Sequence, residues 1–244
     1  ATKENLESDL SRLAETMGPE DTFVLYFSGH GGRHFDFYGT YAKTPGNEPS
    51  QADSDDEWIL FYGSLEEIDY ETWSNTAVND DQLQEMLSVL PTTKKMIIID
   101  ACNSGGFIHN YSDTDAIPPN YTKDILENRD DVFQQAVILY GEAVNGSTTD
   151  LSYEDAIVLS ASGEQEYSVE LYSIKHGLFT YFFLQTPQEG DINGDGFITI
   201  TECYAYVAAA IDFYWNGNGY PSYNYHPHIT GGPMDYVIFS KTEE

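Results

Sequence analysis

The chain has 244 residues, of which 41 are acidic and only 10 are basic, so its formal net charge at pH 7 is −31. This length is enough for one large domain with a sizeable core. The charge argues against nucleic acid and anionic membranes as partners, because their phosphates attract lysine and arginine. No apolar run approaches the roughly 20 residues that a membrane span needs. The charge suits cationic substrates, bound Ca²⁺ or simple solubility.

The first hundred residues alternate between helix and strand patterns. Apolar residues at helical spacing predict a helix over 5–17, which a Gly-Pro pair ends. An apolar run predicts a strand over 22–27 that is buried on both faces. It is followed by the glycine-rich turn 28–32, where the backbone can approach a ligand closely.

Further elements follow in the same alternation. We predict a polar surface loop at 35–57, strands at 58–62, 96–100, 156–160 and 234–239, and helices at 80–90, 176–185 and 200–215. Residues 131–144 fit either a helix or a strand. This alternation predicts an α/β fold with a mainly parallel sheet and helices on both faces. With no internal repeat or dividing linker, residues 1–244 are expected to form one domain.

Two predicted buried strands end in reactive side chains. Cys102 follows the strand 96–100, and His30 follows the strand 22–27, each at a turn with glycines. If these strands are neighbours, both side chains emerge at the carboxyl edge of the sheet, where α/β folds keep their sites. A thiolate and an imidazole there could form a nucleophilic dyad, with the N–H groups of Gly31 and Cys102 as an oxyanion hole. The alternative is a buried apolar cysteine and a turn histidine.

The motifs resemble those of a known superfamily. The segments Tyr-Phe-Ser-Gly-His-Gly at 26–31 and Ile-Asp-Ala-Cys-Asn-Ser-Gly at 99–105 are similar to the paired motifs of the caspase/legumain superfamily, which includes metacaspases and bacterial caspase-like proteases. The strand 157–162 with Glu164 and Glu170 resembles the strand and loop that line its specificity pocket. The segment 176–180 resembles the motif that opens the next helix in metacaspase-like members.

The resemblance implies a caspase-like three-layer αβα sandwich and a cysteine endopeptidase acting on polypeptides. It also implies two strands before the His30 strand that this chain lacks, so an upstream fragment or a second chain is expected to complete the sheet, as after proteolytic processing. An aspartate replaces the usual glutamine before Ala-Cys, and the 30-to-102 spacing is long, so true caspases are not the nearest branch. We expect Cys203, on an apolar helix face, to be structural.

Asp100 corresponds to the acid that lines the first specificity pocket in metacaspase-like proteases, and Ser160 matches the serine of the pocket strand. The resemblance therefore implies cleavage after Arg or Lys, whose charge would compensate a buried carboxylate. Two alternatives remain open for Asp100. Legumain-like enzymes have an acid there and cleave after Asn, and the carboxylate could simply accept hydrogen bonds from nearby backbone N–H groups.

Residues 191–202 match the EF-hand loop pattern D-x-[DN]-x-[DN]-G-x₅-E in full. The predicted Ca²⁺ ligands are Asp191, Asn193, Asp195, the carbonyl of Phe197, Thr199 and Glu202. Because no entering helix is evident, we interpret this segment as a lone EF-like loop, resembling dockerin-type loops, that braces the fold. The alternative is an acidic turn without metal.

A second hypothesis belongs to a different functional class. The acidic, tyrosine-rich composition and the missing strands are compatible with a catalytically silent, calcium-braced surface or filament module that acts by binding. Either function fits an extracellular or cell-surface protein, which is the location that the composition favours.

Overall fold

The computed structural model describes residues 1–33, 57–62, 76–108, 156–163, 165–216, 224–230 and 236–241. The predicted element at 131–144 and nearly all of the polar loop 35–57 lie outside these ranges. Within them, no helix is both long enough and apolar enough to cross a bilayer.

The described helices and strands follow the chain in this order. They are α1 (Lys3–Thr16), β1 (Phe23–Ser28), β2 (His30–Arg33), β3 (Glu57–Leu60), β4 (Ala77–Asn79), α2 (Asp80–Ser88), β5 (Lys95–Asp100), a 3₁₀ helix (Ser104–Ile108), β6 (Ala156–Ser160), β7 (Glu170–Leu171), β8 (His176–Gly177), α3 (Leu178–Phe183), α4 (Thr186–Glu189), β9 (Phe197–Thr199), α5 (Ile200–Tyr214), β10 (His228–Thr230) and β11 (Val237–Ser240).

The main sheet has the strand order β1-β5-β6-β10. Strands β1, β5 and β6 run parallel, and β10 is antiparallel to β6. All six residues of β5 are buried, as expected for a central strand that is covered on both faces. The predicted α/β class and mainly parallel sheet are confirmed.

Two hydrophobic cores lie on opposite faces of this sheet because side chains alternate along each strand. Met96 and Ile98 of β5 pack with α3 and α5 on one face. Ile97 and Ile99 pack on the other face with α1 and α2, through residues such as Leu83. Helix, sheet and helix therefore form three layers, as the predicted sandwich requires.

Strand β1 is at the edge of the described sheet, and the prediction that it is buried on both faces was wrong. Val24 is 53% exposed and Tyr26 is 43% exposed, whereas Phe23 and Phe27 on the other face are buried. The apolar run did not reveal this because a strand that is covered on one face and an interior strand can have the same residue types.

Local capping explains where two helices begin. Thr2 accepts a hydrogen bond from the Asn5 N–H and starts α1 two residues before the predicted position. Asn79 and Gln82 form a reciprocal capping box that starts α2 at the predicted position. Leu83 and Leu87 then place the apolar face of α2 in the core.

Several elements near the sheet edge differ from the predictions. Strands β2, β3 and β4 form a separate antiparallel sheet beyond β1, of which the sequence suggested only β3. His176 lies in a short ribbon of β7 and β8, so the predicted helix 176–185 begins only at Leu178. The last strand, β11, pairs with β9 and not with the main sheet.

Replacing Ile97 by alanine tests the core. Ile97 is fully buried between β1 and β6, so Ile97→Ala should lower the free energy of unfolding by about 2–5 kcal/mol. Val24→Ala, on the exposed face of the neighbouring strand, should cost less than about 1 kcal/mol. Urea unfolding measures both values, and equal losses would contradict the described burial.

Candidate active site

The parallel pairing of β1 with β5 brings His30 and Cys102 to the same edge of the sheet. The last pair in the register is Ser28 with Asp100, and the Gly29 N–H continues the ladder to the Asp100 carbonyl at 3.1 Å. His30 and Cys102 each lie two residues beyond this pair. His30 then opens β2, whose next residue, Gly31, packs against the Cys102 carbonyl, so the turns that carry His30 and Cys102 lie close together. The roles of these two residues as base and nucleophile stay predictions.

Gly31 packs directly against the backbone of the cysteine turn. A Cβ atom at this position would collide with the Cys102 carbonyl oxygen and lie 3.0 Å from the Cβ of Ala101. Only glycine therefore permits this approach of β2 to the carboxyl end of β5. The contact places the Gly31 backbone beside Cys102, as the predicted oxyanion hole requires.

Ser162, two residues after the end of β6, stabilises the turn that carries Cys102. Ser162 donates its hydroxyl proton to the Ala101 carbonyl at 3.0 Å, and its N–H faces the Ser104 hydroxyl at 3.3 Å. Asn103 has a φ of 58°, a left-handed conformation that needs support from its surroundings. Both supporting contacts are buried, so the turn after β5 is preorganised.

The two cysteines have different environments. Cys102 is partly exposed, with its Sγ 3.7 Å from the carbonyl oxygen and 3.8 Å from the hydroxyl of Ser168. Cys203 is fully buried in α5, and burial raises its thiol pKa to about 12. Cys203 therefore stays a thiol near neutral pH, which agrees with its predicted structural role.

Asp100 lies at the amino end of α3. Both the N–H of Thr180, at 3.1 Å, and its hydroxyl donate to Oδ2 of Asp100, and the Tyr26 hydroxyl bonds the same threonine. Among the described residues no hydrogen bond ends on Oδ1. Burial raises the pKa of Asp100, and the nearby charge of Glu170 adds to this shift. The predicted backbone N–H contact is thus present on one oxygen, and Thr180 is a partner that the sequence did not suggest.

The other predicted pocket residues are less directly placed. Ser160 is fully buried and donates to the Ser162 carbonyl at 3.3 Å. Glu170 lies exposed in β7, and Glu164 is outside the described residues. A Cβ at Gly177 would collide with the Asp100 carboxylate, so this glycine packs directly against Asp100.

Tyr225 is a buried neighbour of this site that sequence reasoning missed. Its side chain is fully buried, and Asn216 bonds both its backbone N–H and its carbonyl. Burial raises the pKa of Tyr225 well above its usual range, and the nearby charge of Asp100 raises it further. Among the described residues, no hydrogen bond of normal geometry reaches the Tyr225 hydroxyl. The Phe179 N–H points toward this oxygen and partly offsets the rise in its pKa.

The loop 191–202 has the hydrogen-bond pattern of an EF-like loop. The carboxylate of Asp191 accepts from the N–H groups of Gly194 and Gly196, which have φ values of 75° and 85°. Asn193 accepts from the Asp195 N–H at 2.8 Å. Asp195, at the fifth position, accepts from the Phe197 N–H at 2.8 Å, so the side-chain oxygens at the first, third and fifth positions are all bonded to N–H groups of the loop.

Glu202 closes the loop as the third residue of α5. Its fully buried carboxylate accepts from the N–H groups of Thr199 and Asn193, in a capping box with Thr199. The Lys241 ammonium is 3.8 Å from Asp191. In the described part of the chain, no three His, Cys, Asp or Glu side chains come close enough together to hold a metal ion. The amide, hydroxyl and carbonyl oxygens of the loop would have to complete the ligand set.

Comparison with known proteins identifies the family. The family model described as a caspase domain matches residues 1–225. The chain belongs to the caspase-domain family of cysteine peptidases. It is 31% identical over 156 residues to "Metacaspase-1" of Eremothecium gossypii, and the aligned region covers 62% of this chain and 29% of that protein. It is 25% identical over 213 residues to "Metacaspase-1B" of Aspergillus niger, covering 77% of this chain and 45% of that protein.

A solved structure shows the same fold. Protein GSU0716 from Geobacter sulfurreducens has a TM-score of 0.51 at 17% identity, and the match covers 100% of this chain and 80% of that one. The caspase-domain chain spans less than half the length of the two metacaspases. These matches confirm the predicted superfamily and the cysteine peptidase class, and they do not test the calcium loop or any site residue.

The close approach of Gly31 to Cys102 generates a prediction. Gly31→Ala should lower turnover of a fluorogenic peptide by at least about tenfold, because the new methyl group displaces the cysteine turn. Gly18→Ala is the matched control, since its Cβ would meet only the Asp21 carboxylate at 3.8 Å. Wild-type turnover by Gly31→Ala would show that this contact does not shape the site.

Proposed function

We propose that the chain is a single peptidase domain over residues 1–244 that cleaves polypeptides with a dyad of Cys102 and His30. The observation that carries this proposal is the β1–β5 register, which ends at the Ser28–Asp100 pair and so brings the turns that carry His30 and Cys102 to the same end of the sheet. The packing of Gly31 on Cys102 and the partial exposure of the thiol support it.

The chemistry follows from these two side chains. His30 takes the proton of Cys102, and the thiolate attacks the carbonyl carbon of the peptide bond. The negative charge that develops on the carbonyl oxygen is stabilised by the N–H groups of Gly31 and Cys102. The imidazolium then protonates the leaving amine, and a thioester remains. Water, deprotonated by His30, hydrolyses this thioester and releases Cys102.

We further propose cleavage after Arg or Lys. Asp100 supports this specificity because its buried carboxylate has hydrogen bonds on one oxygen only among the described residues. Burial makes the charged form of Asp100 costly and raises its pKa. A substrate cation beside the carboxylate would compensate this cost. The net charge of −31 favours the approach of basic substrates. Cleavage after Asn is the competing specificity, since an amide can also donate to Asp100.

A covalent probe tests the nucleophile and the specificity together. An acyloxymethyl ketone with Arg or Lys next to the warhead should label wild-type protein at Cys102, as peptide mapping by mass spectrometry would show. Cys102→Ala should abolish labelling, and Cys203→Ala should leave it unchanged because that thiol is buried and protonated. Asp100→Asn should weaken Arg-probe labelling by at least about tenfold, through loss of the charge pair.

Other outcomes of the same experiment would overturn parts of the proposal. Labelling only by an Asn-directed probe would replace the Arg/Lys specificity with a legumain-like one. Absence of labelling by every probe, with Ca²⁺ present, would favour the silent binding module. Labelling of Cys102→Ala would place the reacting group elsewhere.

We also propose that the loop 191–202 binds one Ca²⁺ ion that braces the fold. The oxygens of Asp191, Asn193 and Asp195, which accept from N–H groups of the loop, and the left-handed glycines support this site. In place of a second EF loop, β9 pairs with β11, so the loop is anchored to the domain itself. A lone brace of this kind fits an extracellular or cell-surface location, where Ca²⁺ is abundant.

Thermal unfolding with and without Ca²⁺ tests the loop. Millimolar Ca²⁺ should raise the midpoint of unfolding by several degrees, because an ion that binds only the folded state stabilises it. Asp191→Ala should abolish this shift. Asp9→Ala, an exposed aspartate in α1, should keep it. An unchanged midpoint for the wild-type protein would contradict calcium binding.

Finally, we propose that an upstream fragment or a second chain adds a strand to the outer edge of β1. Among the described strands β1 pairs only with β5, and the exposed apolar side chains of Val24 and Tyr26 make its open edge a site for strand addition. Native mass spectrometry of the protein from its source should show a mass above 27.4 kDa that denaturant reduces. An unchanged mass of 27.4 kDa would argue against a separate fragment.

A further inference from the structure

We propose that the ion pair of Glu166 and His226 is a positioning device that holds the backbone behind Cys102. The inference rests on the proposed function in one respect, since it takes the Cys102 sulfur as the reacting atom. Neither residue touches that sulfur, so any effect on catalysis would be transmitted through the backbone of the cysteine turn.

The carboxylate of Glu166 joins two separate segments of the chain. Its Oε2 accepts the N–H of Gly163 at 2.9 Å, within the turn that follows β6, and the N–H of His226 at 2.7 Å. Its Oε1 faces Nδ1 of His226, also at 2.7 Å. Three short hydrogen bonds on one half-buried carboxylate fix the turn after β6 against the segment that leads into β10.

The backbone of Glu166 connects this fixed turn to the residue after Cys102. Its carbonyl accepts the N–H of Asn103 at 2.8 Å, and Asn103 is the residue directly after Cys102. Asn103 has the left-handed φ of 58°, a conformation that persists only where neighbouring groups hold it. Two residues further along the turn, Ser168 contacts the Cys102 sulfur at 3.7 Å. Movement of Glu166 would therefore move both contacts.

The charges of the pair support each other. Burial opposes the charge of Glu166, but the hydrogen bonds from His226 and Gly163 outweigh it, so its pKa is lowered. The hydrogen bond to Glu166 raises the pKa of His226 against the effect of burial. The ion pair is therefore complete between the two shifted values. It is lost as the pH rises through the raised pKa of His226, or falls through the lowered pKa of Glu166.

Other titratable groups face the pair from each neighbouring element described. Asp212 of α5 adds negative charge beside His226, and the Tyr225 phenol interacts with Glu166. The His228 imidazole of β10 lies beside Gly163. Asp212 favours the protonated form of His226, and it is the only one of the three with an acidic side chain.

Two variants separate the charge of the pair from its hydrogen bonds. Glu166→Gln keeps an oxygen that can accept the backbone N–H groups but removes the negative charge. His226→Asn keeps a neutral N–H donor near the position of Nδ1 but cannot be protonated. Glu20→Gln is the matched control, since it neutralises an exposed glutamate that pairs with Lys94 on the far end of β5.

Steady-state hydrolysis of the best probe-derived substrate should show the coupling. Glu166→Gln should lower kcat by about tenfold and change KM by less than about twofold, because the loss is one of geometry at the reacting atom. The kcat of the wild type should fall about fivefold to a lower plateau as His226 loses its proton, since a charged hydrogen bond becomes a neutral one. His226→Asn should lack this step.

Two further measurements keep the inference separate from the proposed function. NMR titration of the His226 ring should give a pKa that falls in Glu166→Gln, which tests the pair without any catalysis. The rate at which iodoacetamide alkylates Cys102 should show the same pH step as kcat and lose it in His226→Asn. Thermal unfolding identifies any variant that fails to fold, and the wild-type titration and pH profile then decide alone.

The outcomes are distinguishable. Equal kcat values and pH profiles for wild type and Glu166→Gln, with hydrolysis intact, would overturn the positioning role. A His226 pKa that does not respond to Glu166→Gln would overturn the pair itself. If the wild-type protein hydrolyses no Arg, Lys or Asn substrate, the proposed function fails, and the alkylation profile decides whether the pair still orders the cysteine turn.

Discussion

The parallel pairing of β1 with the buried strand β5 is the constraint on which the rest of the site depends. Because β1 and β5 end together at the Ser28–Asp100 pair, the turns that carry His30 and Cys102 leave the same end of the sheet. A shift of the register by one residue would misalign these turns and move the side chains of one strand to the opposite face. Two hydrophobic cores resist that shift, because alternate residues of β5 are buried on both faces.

The turn after β6 is the second organising feature, because it connects Cys102, the proposed nucleophile, with its surroundings. Ser162 supports the backbone before and after Cys102, Glu166 holds the residue that follows it, and Ser168 contacts its sulfur. A segment of seven residues therefore determines the shape of the cysteine turn. A reactive group held by fixed partners loses less conformational freedom when substrate binds.

Asp100, the residue proposed to set specificity, is held by the core that contains α3 and α5. Asp100 accepts from the amino end of α3, which packs on α5, and the third residue of α5 is Glu202, the final glutamate of the EF-like loop. Burial disfavours the charge of Asp100 and raises its pKa, while the hydrogen bonds from the Thr180 N–H and hydroxyl favour the carboxylate. The same acid is therefore both a helix cap and the proposed contact for a substrate cation.

The sequence by itself determined the fold class, the strands at 96–100 and 156–160, the paired His-Gly and Ala-Cys motifs and the full EF-like loop pattern. These depend on local spacing and on runs of apolar residues, which a sequence displays directly. Only the tertiary structure decided that β1 is exposed on one face, that Thr180 bonds Asp100, and that Glu166 meets His226 across 60 residues. Such contacts depend on which segments pack together, and burial and hydrogen bonding between distant residues leave no periodic signal in the chain.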